Sequence, residues 1–540
     1  MPDLVNKDAE LENFRWWERG IIYQIYPRSF MDSNGDGIGD LGGIRSRLDY
    51  LQWLGVDAIW ISPIYPSPMA DFGYDVSNYT DIDPIFGTLA DFDALLADVH
   101  ARGMKLLLDY VPNHTSDQHP WFVESRLSRQ SAKREWYIWR DPVPGGGPPN
   151  NWRSNFGGGA WEWDEKTGQY YYHAFLREQP DLNWRNREVQ RAMLDVLRFW
   201  LDRGVDGFRV DVMHHLVKDS QYRDNPPNPD FRPDMSPYRE LLTTHTADLP
   251  EVQEIVALMR DVVEEYDDCM LVGEIYLPVE RLMAYYGASG QGAHLPFNFQ
   301  LIRLPWKAKE IGTAVERYEG LLPSYAWPNW VLGNHDKPRI ATRAGAAQAR
   351  VAAMLLLTLR GTPTMYYGDE IGMHDVAIPF HRVQDPFEKN VPGLGLGRDP
   401  VRTPMQWSDA MAAGFTTGAP WLPIADDFSM NNVALLGDDP RSILTLYHRL
   451  IELRRAEPAL SVGDYSALPT GDDLVAYMRK AGERRFLIVL NFSNFARSFN
   501  LGELEARAAL RLSTHLDRAG EKLADELQLR GDEGVIVDLF

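Results

Sequence analysis

One cysteine, Cys269, in 540 residues excludes a disulfide within the chain. No apolar run approaches the roughly 20 residues needed to cross a bilayer. Met1 to Glu10 lacks the basic stretch and following apolar run of a secretory leader, so the expected location is cytoplasmic. Positive charge is also scarce: 55 Lys and Arg stand against 77 Asp and Glu, a formal charge of −22. Such a surface repels the phosphates of nucleic acid and of anionic lipid, so neither nucleic acid nor a membrane is an expected partner, and a neutral or cationic one fits better. Repeats and low-complexity tracts are missing. So are a His-Glu-x-x-His zinc helix, a phosphate-binding Gly-x-x-x-x-Gly-Lys and a Gly-x-Ser-x-Gly elbow; Gly393 to Gly397 lacks dinucleotide spacing and reads as a loop. No organic cofactor is expected.

What the chain does have is alternation. Short β-branched runs recur between amphipathic helical stretches: Ile21 to Tyr26, Asp57 to Ser62, Lys105 to Tyr110, Gly207 to Asp211, Met270 to Glu274, Leu295 to Phe299, Asn329 to Gly333 and Thr362 to Tyr367. Eight such βα units predict an α/β fold, a (β/α)8 TIM barrel. Helices are expected at Leu89 to Arg102, Glu188 to Asp202 and Arg441 to Arg455. The stretch between the third and fourth strands is long and rich in Trp, Pro and Gly, which suggests an inserted, functional domain B. Beyond the last helix, alternation at Leu474 to Arg479, Phe486 to Asn491 and Val535 to Phe540 predicts a C-terminal antiparallel β domain. The expected layout is barrel over 1–110, insertion over 111–181, barrel again over 182–458 and β domain over 459–540.

Barrel enzymes carry their reacting groups at the carboxyl ends of strands. Three acids end predicted strands: Asp211, Glu274 and Asp336. A single acid there is more often a helix cap or a loop salt bridge, but three converging on one mouth repel one another and separate into acid and base. Arg209, two residues before Asp211, shares its face of the strand and is placed to hold that carboxylate ionised. Glu274 stands between Gly273 and the Ile275-Tyr276 pair, apolar neighbours that favour a retained proton.

These residues carry a resemblance to the α-amylase superfamily, glycoside hydrolase family 13, and within it to the α-glucosidase and oligo-1,6-glucosidase branch. Asp109 to His114, Gly207 to Asp211, Gly273-Glu274 and Asn334-His335-Asp336 resemble its four conserved blocks, and Gln179 to Trp184 its additional block. The resemblance implies an exo-acting retaining α-glucosidase that acts on small oligosaccharides, with Asp211 as nucleophile, Glu274 as acid/base and Asp336 as transition-state stabiliser. It implies that His114 and His335 donate to glucose hydroxyls, that Asp71 holds the far end of the terminal glucose with Tyr74 stacked beneath it, and that Arg402 closes the pocket. Val212, next to the nucleophile, accompanies acceptance of α-1,6 bonds in that branch.

Asp32, Asn34, Asp36 and Asp40 alternate through the loop after the first strand, with the Ile38 carbonyl between them, and offer hard oxygens as a calcium loop does; Gly43 at the twelfth position excludes an EF-hand. The family resemblance implies a structural Ca²⁺ or Mg²⁺ there. A metal-free Asx-turn loop is the alternative. Two other functions compete: a glucosyltransferase or disaccharide isomerase, which shares every catalytic residue, and a non-catalytic binding subunit. The three retained acids and the lack of an anchor argue against the second. The absence of an Arg-Leu-Asp-Arg-Asp segment argues against a sucrose isomerase.

Overall fold

A computed structural model describes residues 13–502 and 507–540; Met1 to Glu10, read above for a leader, lies outside the described residues. All eight expected strands form one parallel sheet: β1 (Ile22–Ile25), β2 (Ala58–Ile61), β3 (Lys105–Tyr110), β4 (Gly207–Val210), β5 (Met270–Gly273), β6 (Leu295–Pro296), β7 (Asn329–Val331) and β8 (Thr362–Tyr366). Neighbours pair in chain order and β8 pairs with β1. β6 is only two residues long, and a single parallel bridge from Asn298 to Trp330 closes the ring.

The strands are buried on both faces, which is why they read as apolar runs. Ile22, Trp60, Leu107, Val272 and Leu295 pack inside the barrel, while Ile59, Leu106, Leu108 and Leu271 belong to the layer shared with the helices. The helix Leu89–Ala101 supplies Phe92, Leu95, Leu96 and Val99 to that layer, and a capping box between Thr88 and Asp91 starts it.

Between β3 and β4 a three-stranded antiparallel sheet (Trp139–Arg140, Trp161–Asp164, Gln169–Tyr172) carries its own small aromatic core. Bridges His114 to Asp181 and Tyr137 to Leu182 fasten it to the barrel mouth. After the helix Ile443–Ala456 the chain forms a six-stranded antiparallel sheet with a two-stranded one beside it. In its strand Arg484–Asn491, Leu487 and Val489 face one core while Phe486, Ile488 and Leu490 join the barrel's. Among the described residues no helix is long and apolar enough to cross a membrane.

Candidate active site

At the carboxyl ends of the strands lies a small, partly open cavity. Asp71, Tyr74, His114, Asp211, Val212, Glu274, His335 and Asp336 line it, together with Phe156, Phe175 and Arg398. The barrel ladder sets the carboxylates: Asp211 N donates to Tyr110 O at 2.8 Å and Glu274 N to Val210 O at 2.9 Å, each one residue past its strand. Immediately after Asp211 the chain turns, with Val212 in the left-handed region at φ 36°, a strained position for a β-branched residue. Its N–H donates to Glu274 Oε2 at 2.8 Å, which ties the two acids together through the backbone. Asp336 sits on a turn in which Asn334 Oδ1 accepts its N–H at 2.9 Å.

Arg209 is the hub. It is 1% exposed; Nη1 contacts Asp109 Oδ1 and Asp211 Oδ1, both at 2.7 Å, and Nη2 contacts Glu274 Oε2 at 2.8 Å. Arg209 therefore meets Asp211 as expected, but its one positive charge is divided among three buried carboxylates. Burial pushes the Asp211 carboxyl well above the usual range; Arg209 opposes the shift, and Glu274, Asp109 and Asp336 add to it. Asp109, completely buried, is raised by the same burial to about 7. The surroundings expected for Glu274 are corrected: its Oε2 accepts from Val212 N and meets Arg209 Nη2, so its neighbours are not only apolar.

Asp336 differs from both. Burial works against its charge, but the Arg398, Arg402 and Lys337 cations hold its carboxyl below the ordinary range. The mouth thus holds one carboxylate whose neighbours favour its charge and two, Asp109 and Asp211, whose burial opposes theirs. Burial keeps both histidines neutral, His114 with a pKa lowered to about 4 and His335 lowered further below the ordinary value. Gln24 Nε2 donates to His335 Nδ1 at 2.7 Å, which leaves the hydrogen on Nε2, 2.7 Å from Tyr74 Oη. Asn113 likewise occupies Nδ1 of His114, so its Nε2 is a donor, placed 3.1 Å from the Tyr74 carbonyl. The Tyr74 ring stacks on His335 at 5.4 Å, and its hydroxyl donates to Asp109 Oδ2 at 3.1 Å.

The far end of the cavity is closed by charge pairing, through a different arginine from the one expected. Arg402 is fully buried behind the wall, where Nη2 contacts Asp336 Oδ1 at 2.9 Å and Nε donates to the His335 carbonyl at 2.8 Å. Arg398 instead faces the cavity, with Nη2 2.6 Å from both Asp71 Oδ1 and Asp385 Oδ1. Gln179 Nε2 donates to the other Asp71 oxygen at 3.1 Å. Sequence reasoning also passed over Phe156 and Phe175, which the insertion contributes, and Asp109, which opens a block already quoted.

The loop after β1 is apart from this cavity. Asp32 Oδ1 accepts from Asn34 N and Gly35 N, and its Oδ2 from Gly37 N and the Thr416 hydroxyl. Asp40 accepts from Ser33 and Gly43, Asn34 Oδ1 from Asp36 N, and Asp36 from Ile38 N. The donors are hard oxygens of the kind Ca²⁺ takes, yet a run of Asx turns already occupies the acceptor sites of Asp32. Among the described residues no three His, Cys, Asp or Glu side chains gather as a metal cage.

Comparisons with known proteins agree with this geometry. The family model for the α-amylase catalytic domain matches residues 24–463. A probable α-glucosidase of Rhizobium meliloti is 42% identical over 504 residues, 90% of this chain and 91% of that protein. An oligo-1,6-glucosidase of Parageobacillus thermoglucosidasius is 40% identical over 525 residues, 90% and 92% of the two chains. Among solved structures, the α-glucosyl transfer enzyme XgtA superposes with a TM-score of 0.92 at 40% identity, covering 98% of this chain and all of that one. The trehalulose synthase MutB of Pseudomonas mesoacidophila gives 0.90 at 35%, with 98% and 100% covered. With its barrel, its carboxylate cluster and these matches, the chain belongs to the α-amylase family of glycoside hydrolases.

Proposed function

We propose that this protein is an exo-acting retaining α-glucosidase that releases terminal α-glucose from short oligosaccharides such as maltose and isomaltose. The observation that carries the reading is Arg209: a single guanidinium grips Asp211 and Glu274, so the two carboxylates stand close together, as double displacement requires, rather than separated by a water. Asp211 attacks the anomeric carbon while Glu274 protonates the departing glycosidic oxygen. In the second half Glu274 takes a proton from water, the water oxygen bonds to the anomeric carbon, and Asp211 leaves with the α configuration restored. Asp336, held ionised, stabilises the oxocarbenium-like state between these steps. Neutral His114 and His335 flank the sugar site with their Nε2 hydrogens on Tyr74, and Arg398 with Asp71 blocks extension beyond one glucose, which supports exo action.

Initial rates on maltose, isomaltose, sucrose, trehalose and soluble starch, with the anomer of the first product read by NMR, test the reading. It expects fast α-glucose release from maltose and isomaltose and little from starch. Release of β-glucose, or undiminished turnover by Asp211→Ala, overturns it. A second reading, glucosyl transfer to another hydroxyl, draws on the similarity to the α-glucosyl transfer enzyme; new oligosaccharides formed at high maltose would favour it. The reading includes a cytoplasmic location, tested by cell fractionation. It also includes a divalent cation on the Asp32–Asp40 loop, supported by the spacing of its oxygens. Chelation should then lower Tm and Ca²⁺ restore it, whereas an unchanged Tm with no metal in elemental analysis removes the ion.

A further inference from the structure

Lys337 follows Asp336 on the turn after β7, and the same turn bridges Asn334 to Lys337. Its ammonium lies 5.2 Å over the ring of Tyr276, two residues beyond Glu274. Tyr276 is stacked on Phe299 at 4.3 Å and 10°, and Asn334 Nδ2 donates to its hydroxyl at 3.4 Å, so lysine and ring are fixed by one turn. Both side chains are partly exposed and stand outside the carboxylate-lined cavity, although Asp336 and Glu274, near them in the chain, line it. The opposite end is sealed by Arg398, Asp71 and Asp385. This wall therefore borders the space into which the leaving group departs.

Asp336 and Glu274 attract the Lys337 charge through space, Arg303 repels it, and no carboxylate among the described residues lies within ion-pair distance of either cation. On a molecule carrying −22, Lys337 thus stands beside the cleft with no ion-paired carboxylate among the described residues. A cation on an aromatic platform, desolvated on one side and open on the other, receives an anion or a hydrogen-bond acceptor well.

We propose that Lys337, seated on Tyr276, is a specificity residue for the leaving group and favours α-glucosides whose aglycone carries a negative charge close to the glycosidic bond. The inference rests on the α-glucosidase reading above. It is tested with a matched pair, 4-carboxyphenyl and 4-carbamoylphenyl α-glucoside, which differ in charge and little in shape. In the wild type the carboxylate should have the higher kcat/KM, through KM, and the advantage should shrink with added salt. Lys337→Met should lower the carboxylate-to-amide ratio about tenfold, and Lys337→Arg should keep most of it. An equal ratio in wild type and Lys337→Met overturns the assignment. If neither glucoside is hydrolysed by the wild type, the α-glucosidase reading itself fails.

Discussion

Because Arg209 divides one charge among Asp109, Asp211 and Glu274, the ionisation of the nucleophile depends on a carboxylate that never touches substrate. Asp109→Asn removes a neighbour that raises the Asp211 carboxyl and leaves more of Arg209 for it. Activity needs ionised Asp211, so the acidic limb of the kcat/KM profile should move to lower pH in this variant; a limb that stays or moves upward contradicts the coupling. The sequence showed Arg209 beside Asp211 but not the third carboxylate, because Asp109 reaches Arg209 across the β3–β4 pairing, 100 positions away. Val212 is the second case. Its backbone is locked by Glu274 in the left-handed region, so the side chain's place beside the leaving group is fixed. Val212→Thr should lower the isomaltose-to-maltose ratio of kcat/KM by about ten- to two-hundredfold, roughly 1–3 kcal/mol. An unchanged ratio would remove the residue from linkage choice.

Among the elements, the barrel strands were the most legible, since a strand buried on both faces must be apolar throughout and short. Their ends were less so. β6 was expected to reach Phe299 and stops at Pro296, although Phe297 N still donates to Gly273 O at 2.8 Å. In the C-terminal sheet, Leu474–Ala481 and Arg484–Asn491 were visible, while Asp464–Leu468, Arg497–Asn500 and Glu526–Leu529 were not, because these strands are half exposed and mix polar with apolar residues. The start of β4 has a stricter requirement. Gly207 adopts φ 147°, and a Cβ there would lie 2.2 Å from the Met270 carbonyl oxygen. Gly207→Ala must push β4 and β5 apart, the two strands that deliver Asp211 and Glu274. It should cost at least about 2 kcal/mol of stability and most of the activity, read by denaturant unfolding and kcat; a variant with wild-type stability would show that the backbone can yield there.

For the whole molecule, a buried acid with a raised pKa makes stability depend on pH in a sense opposite to ordinary acid denaturation. Glu370 is completely buried where β1, the helix Leu48–Leu54 and the segment after β8 meet; its Oε1 accepts from Tyr23 and Tyr50 at 2.7 and 2.8 Å, and Oε2 has no hydrogen-bond partner among the described residues. Burial raises its pKa above the ordinary 4.5. The folded form thus holds the proton more tightly than the unfolded chain, so its contribution is fully present below about 4.5 and is lost as pH rises through the folded value. Glu370→Gln keeps the shape and removes the titration. Its Tm relative to wild type should rise between pH 5 and pH 8, and a constant difference would mean that this carboxyl does not titrate on unfolding.

The sequence by itself determined the number and order of the barrel strands and the acids at their ends, because periodicity and strand termini are local properties of the chain. It also located the loop insertion that covers the mouth and a C-terminal sheet. Only the tertiary structure decided which charges meet. Arg398 and Arg402 are four residues apart and alike in sequence context, yet one faces Asp71 in the cavity while the other is buried behind Asp336. The difference arises from the path of the chain between Asp385 and Arg402 over the barrel mouth, where Asp385 holds the Arg398 fork. Likewise the sharing of Arg209 among three acids exists only once β3, β4 and β5 lie side by side. Pairing energies between buried charges depend on distances set by the closed barrel, and no local pattern encodes them.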